Sequence, residues 1–144
     1  MPMFQSILAA IDGSKKSEAA LDIAIGEAKV HGAALHVVYV IETGLFSSIP
    51  MDNTWEVIYG LLENQGKEAH LAAAKRAQAQ GVAITTHLKE GHAGNEIIKL
   101  ARETGADLIV LGSHGKSNLD RILLGSISSF VVSHSPVSTL VVRS

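Results

Sequence analysis

The sequence predicts an α/β fold: an open, parallel five-stranded sheet with helices on both faces. Two observations carry this reading. Short unbroken apolar runs alternate with segments whose apolar residues recur every three or four positions, giving five strands and four helices in strict alternation. The run Leu108-Ile-Val-Leu111 also lacks a polar face, as expected of a strand covered on both sides. Composition agrees. The chain is 47% hydrophobic but only 4% aromatic, so Ala, Val, Ile and Leu supply the core. Its 144 residues suit one domain, 1–144, with right-handed crossovers between parallel strands.

Taken in order, residues 5–11 form the first strand and end at the turn Asp12-Gly13-Ser14. Ser14 with Ser17 and Glu18 is a helix start, and Ala19, Ala20, Ile23, Ala24 and Ala28 mark its apolar stripe until Gly32 stops it. Leu35–Ile41 is the second strand, with His36 read as a core or edge histidine. Residues 42–54 have no period and contain Gly, Pro and Ser, so a mobile loop is expected. Asp52, Asn53 or Thr54 would cap a long helix running to residue 80, with Leu61, Leu62, Ala69, Ala72, Ala73 and Ala77 inward and Gly81 as its stop. Trp55 near its start is read as a packing or subunit contact rather than a stacking platform for a base.

Val82–Leu88 alternates in part and is expected at a sheet edge. Gly91-His-Ala-Gly94 turns into a helix with Ile97, Ile98 and Ala101 inward and Gly105 closing it. Strand 107–111, a long loop, helix 125–134 and strand 138–142 complete the chain.

The long loop carries the chemistry. It leaves the carboxyl end of a buried strand at Gly112, passes Gly115, and enters a helix at Gly125-Ser126, where Ser126 is placed to be the N-cap. Free amides and the positive end of a helix dipole favour an anion at such a junction, and glycine lets the backbone approach phosphate oxygens. Ser128 is expected to add a second hydroxyl. Gly115-Lys116-Ser117 is not the tail of a P-loop, because Val110 stands where the first glycine would fall. Lys116 and Arg121 either screen phosphate charge or are solvated surface. His114 lacks an orienting partner and a nucleophile in the sequence, so it is read as a loop residue facing solvent or ligand, and no catalytic residue is assigned.

The spacing itself, Gly112, two residues, Gly115, nine residues, Gly125-Ser126, resembles the nucleotide-binding signature of the universal stress protein family. The opening Ile7-Leu-Ala-Ala-Ile-Asp12-Gly-Ser14, the approach Ala106-Asp107-Leu-Ile-Val-Leu-Gly112 and the close Ser135-Pro-Val-Ser-Thr-Leu-Val-Val142 resemble the same family, which extends the match over nearly the whole chain. The resemblance implies a Rossmann-like sheet of order 3-2-1-4-5 that binds ATP, with or without Mg2+, where the strand order reverses. Asp12 then takes a ribose or nucleoside role, and Ala10 and Val40 line the adenine pocket. Gly112 permits the turn, while Gly115, Gly125, Ser126 and Ser128 hold phosphates. It also implies a homodimer through the last strand, Val137–Val142, whose apolar edge would otherwise be exposed.

The function expected is that of a nucleotide-dependent regulatory or sensor module in stress response, in which ATP orders residues 113–124. A slow ATP hydrolase or phosphotransferase in the same pocket and a nucleotide-free interaction scaffold are the alternatives. A net charge of −2 gives no reason to expect nucleic acid or an anionic membrane as partner. Without cysteine there is no disulfide, thiolate metal site or cysteine nucleophile. The histidines show no zinc spacing, so no metal site is assigned. No leader or spanning segment is evident, and a cytoplasmic location is expected.

Overall fold

The computed structural model describes residues 3–43, 53–113 and 125–143. Nine elements alternate along them: β1 (Ser6–Ile11), α1 (Lys15–His31), β2 (Ala34–Glu42), α2 (Asn53–Ala79), β3 (Ile84–Gly91), α3 (Ala93–Glu103), β4 (Leu108–Gly112), α4 (Ser126–His134) and β5 (Ser138–Val142). The strands form one parallel sheet in the order β3-β2-β1-β4-β5, the order the sequence reading expected.

Because side chains alternate across a strand, each central strand feeds two cores. Ile7, Ala9 and Ile11 of β1 join Val37, Tyr39 and Ile41 of β2 beneath α1 and α2. Leu8, Val38, Ile109 and Leu111 pack on the other face beneath α3 and α4, against Ile97, Leu100, Ala101 and Val131. The strands buried on both faces are the ones without a polar side in sequence. β3 lies at an edge and leaves Thr85 and Thr86 exposed.

Local chemistry sets the helix ends. Ser14 caps α1, its Oγ accepting from the Ser17 amide at 3.2 Å, and Gly32 ends the helix with φ +63°, a left-handed conformation that favours glycine. The buried stripe of α1 is Ser17, Ala20, Leu21, Ala24, Ile25 and Ala28. Ile23, expected inward, is exposed, since the stripe is the row Ala20, Ala24 and Ala28 with Leu21 and Ile25 beside it on the side away from Ile23. In α2, Ala73 and Ala77 are buried as expected, whereas Leu61 and Ala72 face outward. β3 runs to Gly91, beyond the expected Leu88, because its ladder to β2 continues through Glu42–Gly91.

The start of β1 is tied to β4 by a single carboxylate. Asp107 accepts from the Gln5 amide at 2.9 Å and from the Ser6 amide at 3.2 Å. Hydrogen bonds to a charged group at a strand start are worth about 1.5–3 kcal/mol when dry and less here, where Gln5 is exposed. Asp107→Ala is therefore expected to cost about 1–2 kcal/mol. A urea midpoint lowered with an unchanged slope would show this; an unchanged midpoint would count against the tie.

Candidate functional site

The carboxyl end of the sheet opens between β1 and β4. The β1–β2 ladder runs to Ile11–Tyr39 and the β4–β5 ladder to Gly112–Val142. The β1–β4 ladder stops earlier, at Ala9–Val110. This is the point where the strand order reverses, and in doubly wound sheets it is where ligands sit.

Asp12 stands at the end of β1 on one side of this opening. Its Oδ1 accepts from the Ser14 amide at 2.9 Å, and its own amide donates to Ser17 Oγ at 3.3 Å. These bonds hold the carboxylate in a turn that leads through Gly13, at φ +82°, into α1. Ala10 and Val40 are half-buried against the core on the α3 and α4 face, with Ala10 level with Val38.

Ser113 organises the other side. Its amide donates to the Val142 carbonyl at 2.9 Å. Its carbonyl accepts twice, from the Gly125 amide at 2.6 Å and from Ser128 Oγ at 2.8 Å. The chain thus leaves β4 at Gly112 and re-enters α4 against the same strand end. Ser128, expected to donate to a ligand, is buried and gives its hydroxyl proton to the Ser113 and Gly125 carbonyls. In this structure it braces the junction. Gly125, not Ser126, is the N-cap, because Ser126 already has helical geometry. Gly112, Gly125, Ser126 and Ser128 are thereby gathered at the β4–α4 junction. Gly115, with His114, Lys116 and Arg121, lies outside the described residues.

The α4 N-terminus differs from the other helix starts. Glu18, Glu56 and Glu96 stand in the first turns of α1, α2 and α3, whereas α4 has no acidic residue there and no side-chain cap. At the same carboxyl end of the sheet, α3 is capped twice: His92 Nδ1 accepts from the Asn95 amide at 3.2 Å, and Glu42 Oε2 from the Ala93 amide at 2.9 Å. The first amides of any helix lack intrahelical partners, so those of α4 are left for something other than the helix's own side chains.

Glu42 and His92 were not singled out in the sequence. The only available signal was Glu42's place at the end of an apolar strand, and nothing local tied it to Ala93, 51 residues away.

A cleft of about 390 Å³ lies on the opposite face, between α1 and α2, with Asp12, Glu18, Glu68 and Arg76 around an apolar floor that includes Ile11, Leu21 and Ala73. Arg76 spans it to form a two-point ion pair with Asp22, at 2.8 and 3.0 Å. The guanidinium holds the Asp22 carboxyl below the usual carboxylate range. With Arg76 so engaged, the cleft presents a carboxylate surface, unfavourable for a polyphosphate. Among the described residues no three His, Asp or Glu side chains converge as a metal site.

Trp55 stacks on Tyr59, with ring centroids 5.5 Å apart, and packs against the α1–α2 core. Tyr59 in turn donates its hydroxyl to Glu90 at the end of β3, which pushes the phenol pKa up to about 12.

The universal stress protein family model matches residues 3–143. The chain belongs to the universal stress protein family. Its curated relatives include a universal stress protein of Methanocaldococcus jannaschii, 38% identical over 141 residues that cover 98% of this chain and 83% of the relative. Another, from Bacillus subtilis, is 34% identical over 98% of this chain and its own full length. Among solved structures, the universal stress protein UspA from Lactobacillus plantarum superposes with a TM-score of 0.82 at 29% identity, covering 96% of this chain and 97% of that one. A universal stress protein solved in complex with cAMP has a TM-score of 0.68 at 28% identity, covering 97% of each chain. The five-stranded order 3-2-1-4-5 is thus the family's universal stress fold in this chain.

Proposed function

We propose that this universal stress protein binds an adenine nucleotide, ATP being the expected ligand, at the opening between β1 and β4, and that occupancy is its regulatory signal. The observation that carries this is the start of α4. It stands at the switch point, without the acidic first turn of the other helices or the side-chain caps of α1 and α3, and follows the glycine spacing that begins at Gly112 and Gly115. Phosphate oxygens would take the Ser126, Ile127 and Ser128 amides, with the Ser126 hydroxyl beside them. The nucleoside would lie toward Ala10 and Val40 on the α3 and α4 face, with Asp12 at the end of β1 between this opening and the cleft. Binding of cAMP by a family member 28% identical supports the same class of ligand. Magnesium would enter on the phosphates, with Asp12 the nearest strand-end carboxylate in sequence to the opening.

The same reading makes the protein a cytoplasmic homodimer. β5 ends the sheet and offers an unpaired strand edge, and Ile127 and Val132 of the adjacent α4 remain exposed. Pairing of Val137–Val142 with its copy would close that edge. Among the described residues no helix is long and apolar enough to cross a membrane.

The direct test is to denature freshly purified protein and identify what it releases by mass spectrometry. An adenine nucleotide near one per chain is expected. A protein that releases none, and gains no thermal stability with millimolar ATP and magnesium, would overturn the proposal. Sedimentation of the same sample at dimer mass is the expected companion result.

A further inference from the structure

We propose that β3 is an acid-released edge strand, held in place at neutral pH by three uncharged imidazoles: His36 and His87 on the α3 face and His70 on the α2 face. The three are far apart in sequence and meet only through the fold. β3 pairs on one side alone, with β2, in the register His36–Thr85 and Val38–His87. That register puts His36 and His87 on the same face one rung apart, and His36 Nδ1 lies 3.0 Å from His87 Nε2. One of these nitrogens must carry a proton and the other a lone pair, so the contact exists only while at least one ring is neutral. A second proton would set two cations in contact.

His70 sits across the strand, edge-on to the ring of buried Tyr39 with centroids 6.4 Å apart. Its Nε2 is buried without a hydrogen-bond partner, so a proton placed there would put an unmatched charge against the core.

The charged groups around the set do not offset this. Lys89, on the same face of β3 as His87, opposes a further positive charge there, as does His36, and His87 opposes one on His70. Glu103, at the end of α3, is the one carboxylate favouring a charged His87. Burial holds His36, His70 and His87 below the ordinary imidazole value, reinforced by neighbouring positive charge at His70 and His87 and outweighing, at His70, the opposing hydrogen bond to the His87 backbone. The sign follows. Groups kept neutral by folding take up protons on unfolding, so their stabilisation is whole above about pH 6.5 and is lost as pH falls toward their lowered folded values. The loss falls on an edge strand that is also fastened to α2 by the Tyr59–Glu90 bond and by Leu88 packed at Gly66. β3 should therefore loosen before the centre of the sheet does.

The test compares the full-length wild-type chain with His36→Gln/His87→Gln, whose amides can still bond to each other without titrating. Urea unfolding is measured at pH 7.5 and 5.5. The wild-type unfolding constant should rise at least about tenfold over that range, within the tenfold per pH unit that linkage allows each imidazole, and the variant should lose most of the rise. Hydrogen exchange at pH 5.5 should open β3 before β1 and β4. A pH-independent wild type, a variant that keeps the full drop, or β3 amides that exchange no sooner than those of β4 would each overturn the proposal. If the double variant does not fold, the ring-proton NMR titration of the wild type decides. Midpoints below 6.5 for these three rings are expected, and midpoints at or above it would overturn the proposal.

Discussion

Gly94→Val is expected to lower the melting temperature by roughly 5–10 °C. A Cβ built on Gly94 would lie 2.4 Å from Phe130 Cδ1 and 2.9 Å from its Cγ, distances no packed pair tolerates. A flexible neighbour would swing aside, but Phe130 is held on two sides. His134 stacks on it with centroids 4.1 Å apart and His92 meets it edge-on at 4.9 Å. The half-buried ring can yield only by displacing the two histidines or by moving α4, and the strain is shared between them. Overpacking of this kind costs about 1–3 kcal/mol, and valine adds its poor fit to a helix turn. Gly94→Ala should show the same sign with a smaller loss. Thermal denaturation of the two variants checks this, and a melting temperature within about 1 °C of wild type would mean that α3 and α4 are not in the contact described.

Ser126→Asp should separate binding from stability. A carboxylate in the first turn of α4 supplies the acidic group that the other three helices already have there. It should leave the empty protein as stable as before, or more so by about 0.3–1 kcal/mol. The same carboxylate occupies the anion position and repels phosphate, and like charges in contact cost several kcal/mol. ATP affinity should therefore fall roughly 100-fold. Calorimetric titration of both proteins, with melting curves of the empty forms, gives the two numbers. Retained affinity would place the phosphates elsewhere. Lost affinity together with lost stability would mean that the substitution merely disrupted α4.

The fold was legible because its signals are redundant. Ile7-Leu-Ala-Ala-Ile11 and Leu108-Ile-Val-Leu111 have no polar face and proved to be central, while the partly alternating segment after Val82 proved to be an edge. Ser14 and Gly32 announced the ends of α1 through chemistry local to each end. Errors arose where alanine blurred the helical stripe. In α1 the burial belongs to Leu21 and Ile25 rather than Ile23, and in α2 alanine is found on the inward and outward faces alike.

The candidate site divides in the same way. Gly112, Asp12 and the α4 start could be located from sequence because strand ends and topology place them. What a side chain does there could not. Ser128 was expected to face a ligand, yet it spends its proton on Ser113, 15 residues away. Ser126 was expected to cap α4, but the break in helical geometry falls one residue earlier. Glu42 on Ala93 and His36 on His87 are contacts between residues 51 positions apart, set by strand register, and no local pattern could announce them.

The central claim is that the first amides of α4 receive the phosphates of an adenine nucleotide. Titrating isotope-labelled protein with ATP and magnesium while following backbone amide resonances tests it most directly. The account predicts saturable shifts at Ser126, Ile127 and Ser128, accompanied by Asp12, Gly13 and Val40 across the opening. Amides of α4 that stay still at millimolar nucleotide, or shifts confined to the cleft around Glu18 and Arg76, would contradict it.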